Sequence, residues 1–237
     1  MTCPAKWYFR YLIGLSEPTT GALALGKAFH ATLARNFRQK MSTGRDMESR
    51  ELRGVVAEEW SSAIADAALR DDEDADELAT TGQILATAYI TEAAGPLQPR
   101  AVEQTVQGKI AGIKVRGIVD LLDTDGRVFD FKTASKRPNG ISAEHSLQLT
   151  TYAMITPDAS GLCRLDTVTK TKTVHVIQQS YQVGTEDRRF AETLYPMVQE
   201  SIRDGIYPPH RSSPMCSRRY RGYWRECEQE FGGRVPE

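Results

Sequence analysis

The sequence is short of the features that announce a specialised class. It has four cysteines in 237 residues, too few for a disulfide scaffold, and a cytoplasmic protein is expected. No apolar run approaches the roughly 18 residues that a membrane span needs, and no signal peptide is visible at Met1. No membrane partner is therefore expected. Charge of one sign is not in excess either: 30 Lys and Arg against 31 Asp and Glu give a net charge of −1. The whole-chain field does not by itself mark a nucleic-acid binder. There is no internal repeat and no obvious linker. What remains is ordinary globular material, 40% apolar and 26% charged, long enough for one large domain or two small ones. The balance is local: Asp71 to Glu77 is acidic, whereas Arg211, Arg218, Arg219, Arg221 and Arg225 make the C-terminal end basic.

The first hundred residues read as helices. Pro4 suits the first turn of a short aromatic helix over Cys3 to Tyr11. Gly21 to Gly26 reads as a small-residue loop. Lys27 to about Met41 then carries Phe29, Leu33 and Phe37 at a four-residue spacing, one apolar stripe. Met47 to Leu69 and Glu77 to Ala94 read as two more helices, the last closed by Gly95-Pro96. Asp72 to Asp76 superficially matches a calcium loop. Glu77 and Gln83 occupy the positions of that loop's glycine and final glutamate, so a solvated helix N-terminus is the better reading.

After Pro99 the period changes. Val102 to Gln107, Lys109 to Leu122 and Arg127 to Lys132 read as strands, the second bent or broken at Gly112 and Gly117. Ser142 to Ile155 predicts a helix, Leu162 to Thr169 and Thr173 to Gln182 two strands, and Glu186 to Arg203 a final helix. From Tyr207 onward Pro, Ser and Arg predict an irregular tail. Helices first, then strands, then alternation imply one α/β domain with a helical N-terminal part.

The chemistry concentrates in Gly117 to Lys132, two apolar runs joined by an Asp125-Gly126 turn that signals a hairpin. Asp120 interrupts the first run; Asp130 and Lys132 interrupt the second. Alternation along a strand sends Asp130 and Lys132 to one face and Phe131 to the other. Buried charge needs a partner or a metal. A divalent cation held by the two carboxylates, with the lysine beside it, answers that need.

Asp120 followed by Asp130-Phe131-Lys132 fits an Asp…(Asp/Glu)-x-Lys pattern, and its companions make the match specific. Gly26-Lys27-Ala28-Phe29-His30 opens a helix, Glu103 lies on the strand before the hairpin, and Gln148-Leu149-Thr150-Thr151-Tyr152 has Gln-x-x-x-Tyr spacing, one helix face. Cys3-Pro4 near the start and Tyr207-Pro208-Pro209 with Cys216 and Cys227 near the end complete the series. In these segments and their order the chain resembles the PD-(D/E)XK nucleases, in particular the RecB-like group that includes recombination exonucleases and CRISPR-adaptation nucleases. The resemblance implies a restriction-endonuclease-like core, a central mixed β-sheet flanked by helices. It also implies a single nuclease domain over residues 1–237, with a helical insertion at about 42–97 and a cysteine-bearing tail at about 207–237.

The implied activity is metal-dependent hydrolysis of DNA phosphodiester bonds, expected to be that of an exonuclease, in recombination, repair, phage DNA processing or CRISPR adaptation. The resemblance gives His30, Asp120, Asp130 and the backbone carbonyl of Phe131 as ligands to Mg²⁺ or Mn²⁺. Asp120, Asp130, Lys132, Glu103, Gln148 and Tyr152 form the implied catalytic set, with Gln148 and Tyr152 lining the site. Lys132 either takes part in proton transfer or stabilises charge in the transition state. Thr133, Lys136 and Arg137 follow the catalytic strand and are candidates for phosphate contacts. DNA, single-stranded or with an end, is the expected substrate. No helicase motif is present, so ATP-driven unwinding would need another chain, a helicase or a recombination or CRISPR partner. The contrasting reading is a catalytically silent nuclease-like binding or scaffold subunit. A phosphoesterase acting on small substrates is the more distant one.

In many members of the group four cysteines hold a [4Fe–4S] cluster. Cys3, Cys216 and Cys227 fall at matching places, but Arg221 stands where the fourth is expected. A cluster on three thiolates, no metal, and zinc through Cys3, His210, Cys216 and Cys227 are the open alternatives. Cys163, in a strand, reads as a buried structural cysteine.

Overall fold

Each amphipathic element has an apolar side to hide, and a computed structural model shows where each one goes; it describes residues 3–213, 216–218, 220 and 222–236. The chain divides into two units, residues 19–196 and residues 1–18 with 197–237.

The larger unit is built on five strands, β1 (Pro99–Ile110), β2 (Ile113–Asp123), β3 (Val128–Ala134), β4 (Leu162–Thr169) and β5 (Val176–Gln182), in the order β1-β2-β3-β4-β5. All neighbours are antiparallel except β3 and β4, which run parallel through the crossover helix α5 (Ala143–Ile155). One face is covered by α2 (Gly21–Thr43), α3 (Ser49–Ile64) and α4 (Ala75–Tyr89); Phe29, Leu33 and Phe37 pack there with Tyr89, Leu121, Phe129 and Phe131. The other face carries α5 and the first part of α6 (Thr185–Arg203), burying Val106, Ile110, Val119, Leu149, Leu165 and Ala191. The mixed sheet flanked by helices is the architecture expected from the sequence.

The smaller unit holds α1 (Pro4–Tyr11) and α7 (Trp224–Phe231). Cys3, Ala5, Phe9, Tyr223 and Cys227 form its apolar cluster.

Several boundaries differ from the sequence reading. Residues 21–26 are the first turns of α2, not a loop: Thr20 caps the helix, its hydroxyl accepting from the Leu23 N–H at 3.3 Å. Four of the six residues there are Ala or Leu, good helix formers. Residues 109–122 are not one interrupted strand. Ile110 pairs with Ile113 across a two-residue turn, Ala111 and Gly112, both at positive φ (46° and 83°). That is the backbone of a tight hairpin turn, and Gly112 suits it. Gly117 does not break β2. It is needed for closeness: a Cβ there would sit 2.6 Å from Cε1 of Tyr152 on α5. The tail expected to be irregular contains α7, whose Tyr223 and Cys227, four apart, share the buried face. The last turn of the predicted helix ending at Ala94 is a π turn, Ile90–Ala94. The acidic run is a helix N-terminus as expected, with Asp74 accepting from the N–H groups of Asp76 and Glu77.

Candidate active site

The chemistry gathers where β1, β2 and β3 pass beneath α2. The β2–β3 pairing consists of Leu121 with Phe129 and Leu122 with Val128. At the next step Asp120 intervenes: its Oδ2 accepts the Phe131 N–H at 2.7 Å. The other oxygen, Oδ1, lies 3.3 Å from His30 Nδ1. One carboxylate thus replaces a ladder bond and still faces the helix above.

Glu103 lies between the register pairs Val102–Leu121 and Gln104–Val119, which sets it across from Asp120. Its φ is +50°, a left-handed conformation that non-glycine residues hold only under constraint. Among the described residues one group offers three metal-ligating atoms within 4.8 Å of one another: His30, Glu103 and Asp120. An imidazole and two carboxylates suit a hard or borderline divalent cation. The electrostatics agree. Burial, then the nearby Asp120 charge, raises the Glu103 carboxyl above its usual range. Burial lowers the affinity of His30 for a proton, but its hydrogen bond and charge interaction with Asp120 reverse this and leave its pKa raised. Crowded negative charge of this kind favours a cation.

Asp130 and Lys132 come together, with Lys132 Nζ 2.6 Å from Asp130 Oδ2. Phe129 and Phe131 point into the α2-side core, so alternation turns Asp130 and Lys132 toward the α5 side. Asp130 is not one of the converging trio, but the charges of Asp120 and His30 act on it. Burial pushes the Asp130 carboxyl up to about 6, against the opposing charge of Lys132. Lys132 is the one partner of Asp130 Oδ2 among the described residues.

The cleft above the trio has a volume of about 760 Å³, and His30, Glu103, Asp120, Lys132 and Thr133 line it. Gln148 and Tyr152 meet on α5, the amide donating to the phenol oxygen at 3.1 Å. Lys136 and Arg137 are exposed beyond β3 and do not line this cleft. Sequence reasoning missed Lys27 and Arg38 on its wall. Their signal was the helical spacing of Lys27, His30, Ala34 and Arg38, the polar-side counterpart of the Phe29–Leu33–Phe37 stripe.

In the smaller unit Cys3, Cys216 and Cys227 are buried, and the His210 N–H donates to Cys3 Sγ at 3.4 Å. Arg221 lies outside the described residues. Cys163 is buried on β4, and burial pushes its thiol up to about 12.

No helix among the described residues is long and apolar enough to cross a membrane. No curated protein matches the sequence. Among solved structures, a protein from Eubacterium rectale described as a "putative exonuclease" is similar at a TM-score of 0.52 and 10% identity, over 90% of this chain and 91% of the other. A protein named SSO0001 is similar at a TM-score of 0.34 and 16% identity, over 84% and 85% of the two chains. The family model for the PD-(D/E)XK nuclease superfamily matches residues 1–228. With the match running through both units, the chain belongs to the PD-(D/E)XK nuclease superfamily.

Proposed function

We propose that this nuclease is a divalent-metal-dependent exonuclease acting on DNA. The observation that carries the proposal is the convergence of His30, Glu103 and Asp120 within 4.8 Å, in a cleft that Lys132 also lines. His30, Glu103 and Asp120 would hold Mg²⁺ or Mn²⁺, with Asp130 and the Phe131 carbonyl as further candidates. Such a cation supplies Lewis-acid polarisation of the scissile phosphate and a more acidic water. Lys132 orients water or offsets the charge that develops on phosphorus. Asp130 keeps Lys132 in position. Gln148 and Tyr152 bound the site from the α5 side, and Thr133, Lys136 and Arg137 contact phosphates beyond it. In the reaction a water oxygen bonds to phosphorus, one P–O ester bond breaks, and the departing sugar oxygen takes a proton.

The exonuclease mode is supported by the description of the fold neighbour from Eubacterium rectale. A role in recombination, repair, phage DNA processing or CRISPR adaptation accords with the RecB-like motif order, as does a separate helicase partner. A cluster on Cys3, Cys216 and Cys227 is a further proposal, read out by iron analysis and visible absorbance of anaerobically purified protein.

The test is a Mg²⁺ and Mn²⁺ titration on end-labelled single- and double-stranded DNA. Metal-dependent, end-directed shortening supports the proposal. Binding without cutting at any metal concentration would favour the silent scaffold subunit instead. Cutting of closed circular DNA would replace the exonuclease mode by an endonuclease.

A further inference from the structure

The β1–β2 hairpin is longer than the sheet needs. β2 pairs with β3 at Leu121 and Leu122, so residues 113–120 run as a two-stranded arm with β1. One face of this arm is apolar and packs with α5 through Val106, Ile110 and Val119. The other face is open. Starting from the position where Glu103 lies across from Asp120, every second register pair outward lies on this face: Thr105 with Ile118, Gln107 with Arg116, Lys109 with Lys114. All six side chains are exposed, and Ile118 is 48% exposed.

Lysine on an edge strand discourages pairing with another chain, but that does not call for cations on both strands of the arm. Lys109 and Lys114 are directly opposite, and like charges across strands are destabilising. Among the described residues no carboxylate forms an ion pair with Lys109, Lys114 or Arg116. A groove of about 420 Å³ runs along these same residues. Three unpaired cations therefore occupy two successive rungs of this face, Arg116 and then the Lys109–Lys114 pair, beyond Ile118 as counted from Asp120. Successive same-face positions on a strand are separated by about 6.8 Å, a step of the order of the phosphate repeat of a stretched single strand.

We propose that the open face of the β1–β2 hairpin is the track on which an extended single strand of DNA lies as it enters or leaves the acidic centre, with Lys109, Lys114 and Arg116 holding its phosphates. The proposal rests on the nuclease reading above and adds the form of the substrate. A strip two strands wide suits one backbone, and exposed Ile118, between the cations and Asp120, offers a sugar or base an apolar surface. The cations sit away from the metal-ligand trio, so they do not compete with a cation bound there.

The test uses the full chain with Mg²⁺ and a fluorescent phosphorothioate oligo(dT) of about 30 nucleotides, whose linkages resist cleavage. The triple variant Lys109→Gln, Lys114→Gln, Arg116→Gln is expected to bind at least about 10-fold more weakly, and its log–log salt dependence should flatten by about 2, three contacts at roughly 0.7 each. Lys109→Arg with Lys114→Arg, which keeps both charges, should bind like the parent. Circular dichroism and thermal melting check that the triple variant is folded, as expected for exposed positions. A folded triple variant with unchanged affinity and salt slope, in a protein whose parent cuts DNA, overturns the hairpin track and leaves the nuclease reading standing. With a blunt phosphorothioate duplex of the same length as a second probe, a loss confined to that duplex points to a ribbon in a major groove and overturns the single-strand assignment. A parent that neither binds nor cuts DNA overturns both.

Discussion

Asp130 and Asp166 sit on neighbouring strands one register step apart, since Asp130 pairs with Leu165 and Phe131 with Asp166. Alternation turns them to opposite faces of the sheet. Both are almost fully buried, at 2% and 0% exposure. Their surroundings differ. Asp166 accepts from Arg164 Nε at 2.7 Å, from Arg164 Nη2 at 2.6 Å and from the Tyr89 hydroxyl at 2.6 Å. The guanidinium in turn lies 4.6 Å from the centre of the Phe129 ring. Among the described residues the Asp130 carboxylate has a single polar contact, to Lys132, and that lysine lines the cleft. Burial alone does not distinguish the two carboxylates. Satisfaction does: the fully partnered one belongs to the architecture, and the other is the one to which the proposed reaction gives a role.

The largest effect that should separate them is on activity. Asp130→Asn is expected to reduce DNA hydrolysis by on the order of 10²–10³-fold or more, measured on labelled DNA with Mg²⁺. The same variant should not be less stable in chelator. Burial holds the Asp130 pKa up to about 6, above its unfolded value. The stability linked to its proton is therefore full at pH below about 4 and lost as pH rises through about 6. Asp130→Asn should thus match the parent in acid and exceed it by up to ~3 kcal/mol at neutral pH. Urea titrations at the two pH values measure this, and a parent that gains on the variant with rising pH would contradict it.

Asp166→Ala should do the reverse. Removing it leaves Arg164 without its partner and costs about 3–5 kcal/mol of stability, while turnover per folded molecule stays close to the parent's. Catalytic loss without destabilisation would show that Asp166 has been misassigned. A smaller effect is expected for Gly117→Ala, whose new methyl meets Tyr152 and should cost about 1–3 kcal/mol. Most of that should vanish in a Tyr152→Ala background, as a double-mutant cycle would reveal. Smallest is Tyr89→Phe, which removes one bond to Asp166 and should lower stability by about 1 kcal/mol, read from the denaturation midpoint.

The sequence made the α2 stripe, the crossover helix, the Asp120–Asp130–Lys132 hairpin and the Gln148–Tyr152 pair legible, because each is local and periodic. It did not reveal that His30, Glu103 and Asp120 make the tightest cluster while Asp130 stands beside it against Lys132, since side-chain placement across two hairpins depends on register. Register depended on a turn at Ala111-Gly112 that composition disguised, alanine being an unusual tenant of a left-handed position. Glu103 was visible as a type and invisible as a geometry. Its convergence with His30 spans 73 positions along the chain, and no local pattern encodes that. The cations of the hairpin arm were present in the sequence but meaningless until pairing aligned them.

The left-handed backbone of Glu103 has a consequence for laboratory evolution. Holding a non-glycine residue there costs about 1–3 kcal/mol, and glycine would be relieved of most of it. Glu103→Gly is therefore among the substitutions that a screen for heat resistance alone should enrich, while a parallel screen for metal affinity discards it. Selected separately, the two populations would diverge at this one codon, and the frequency of glycine there would report which property had been under pressure.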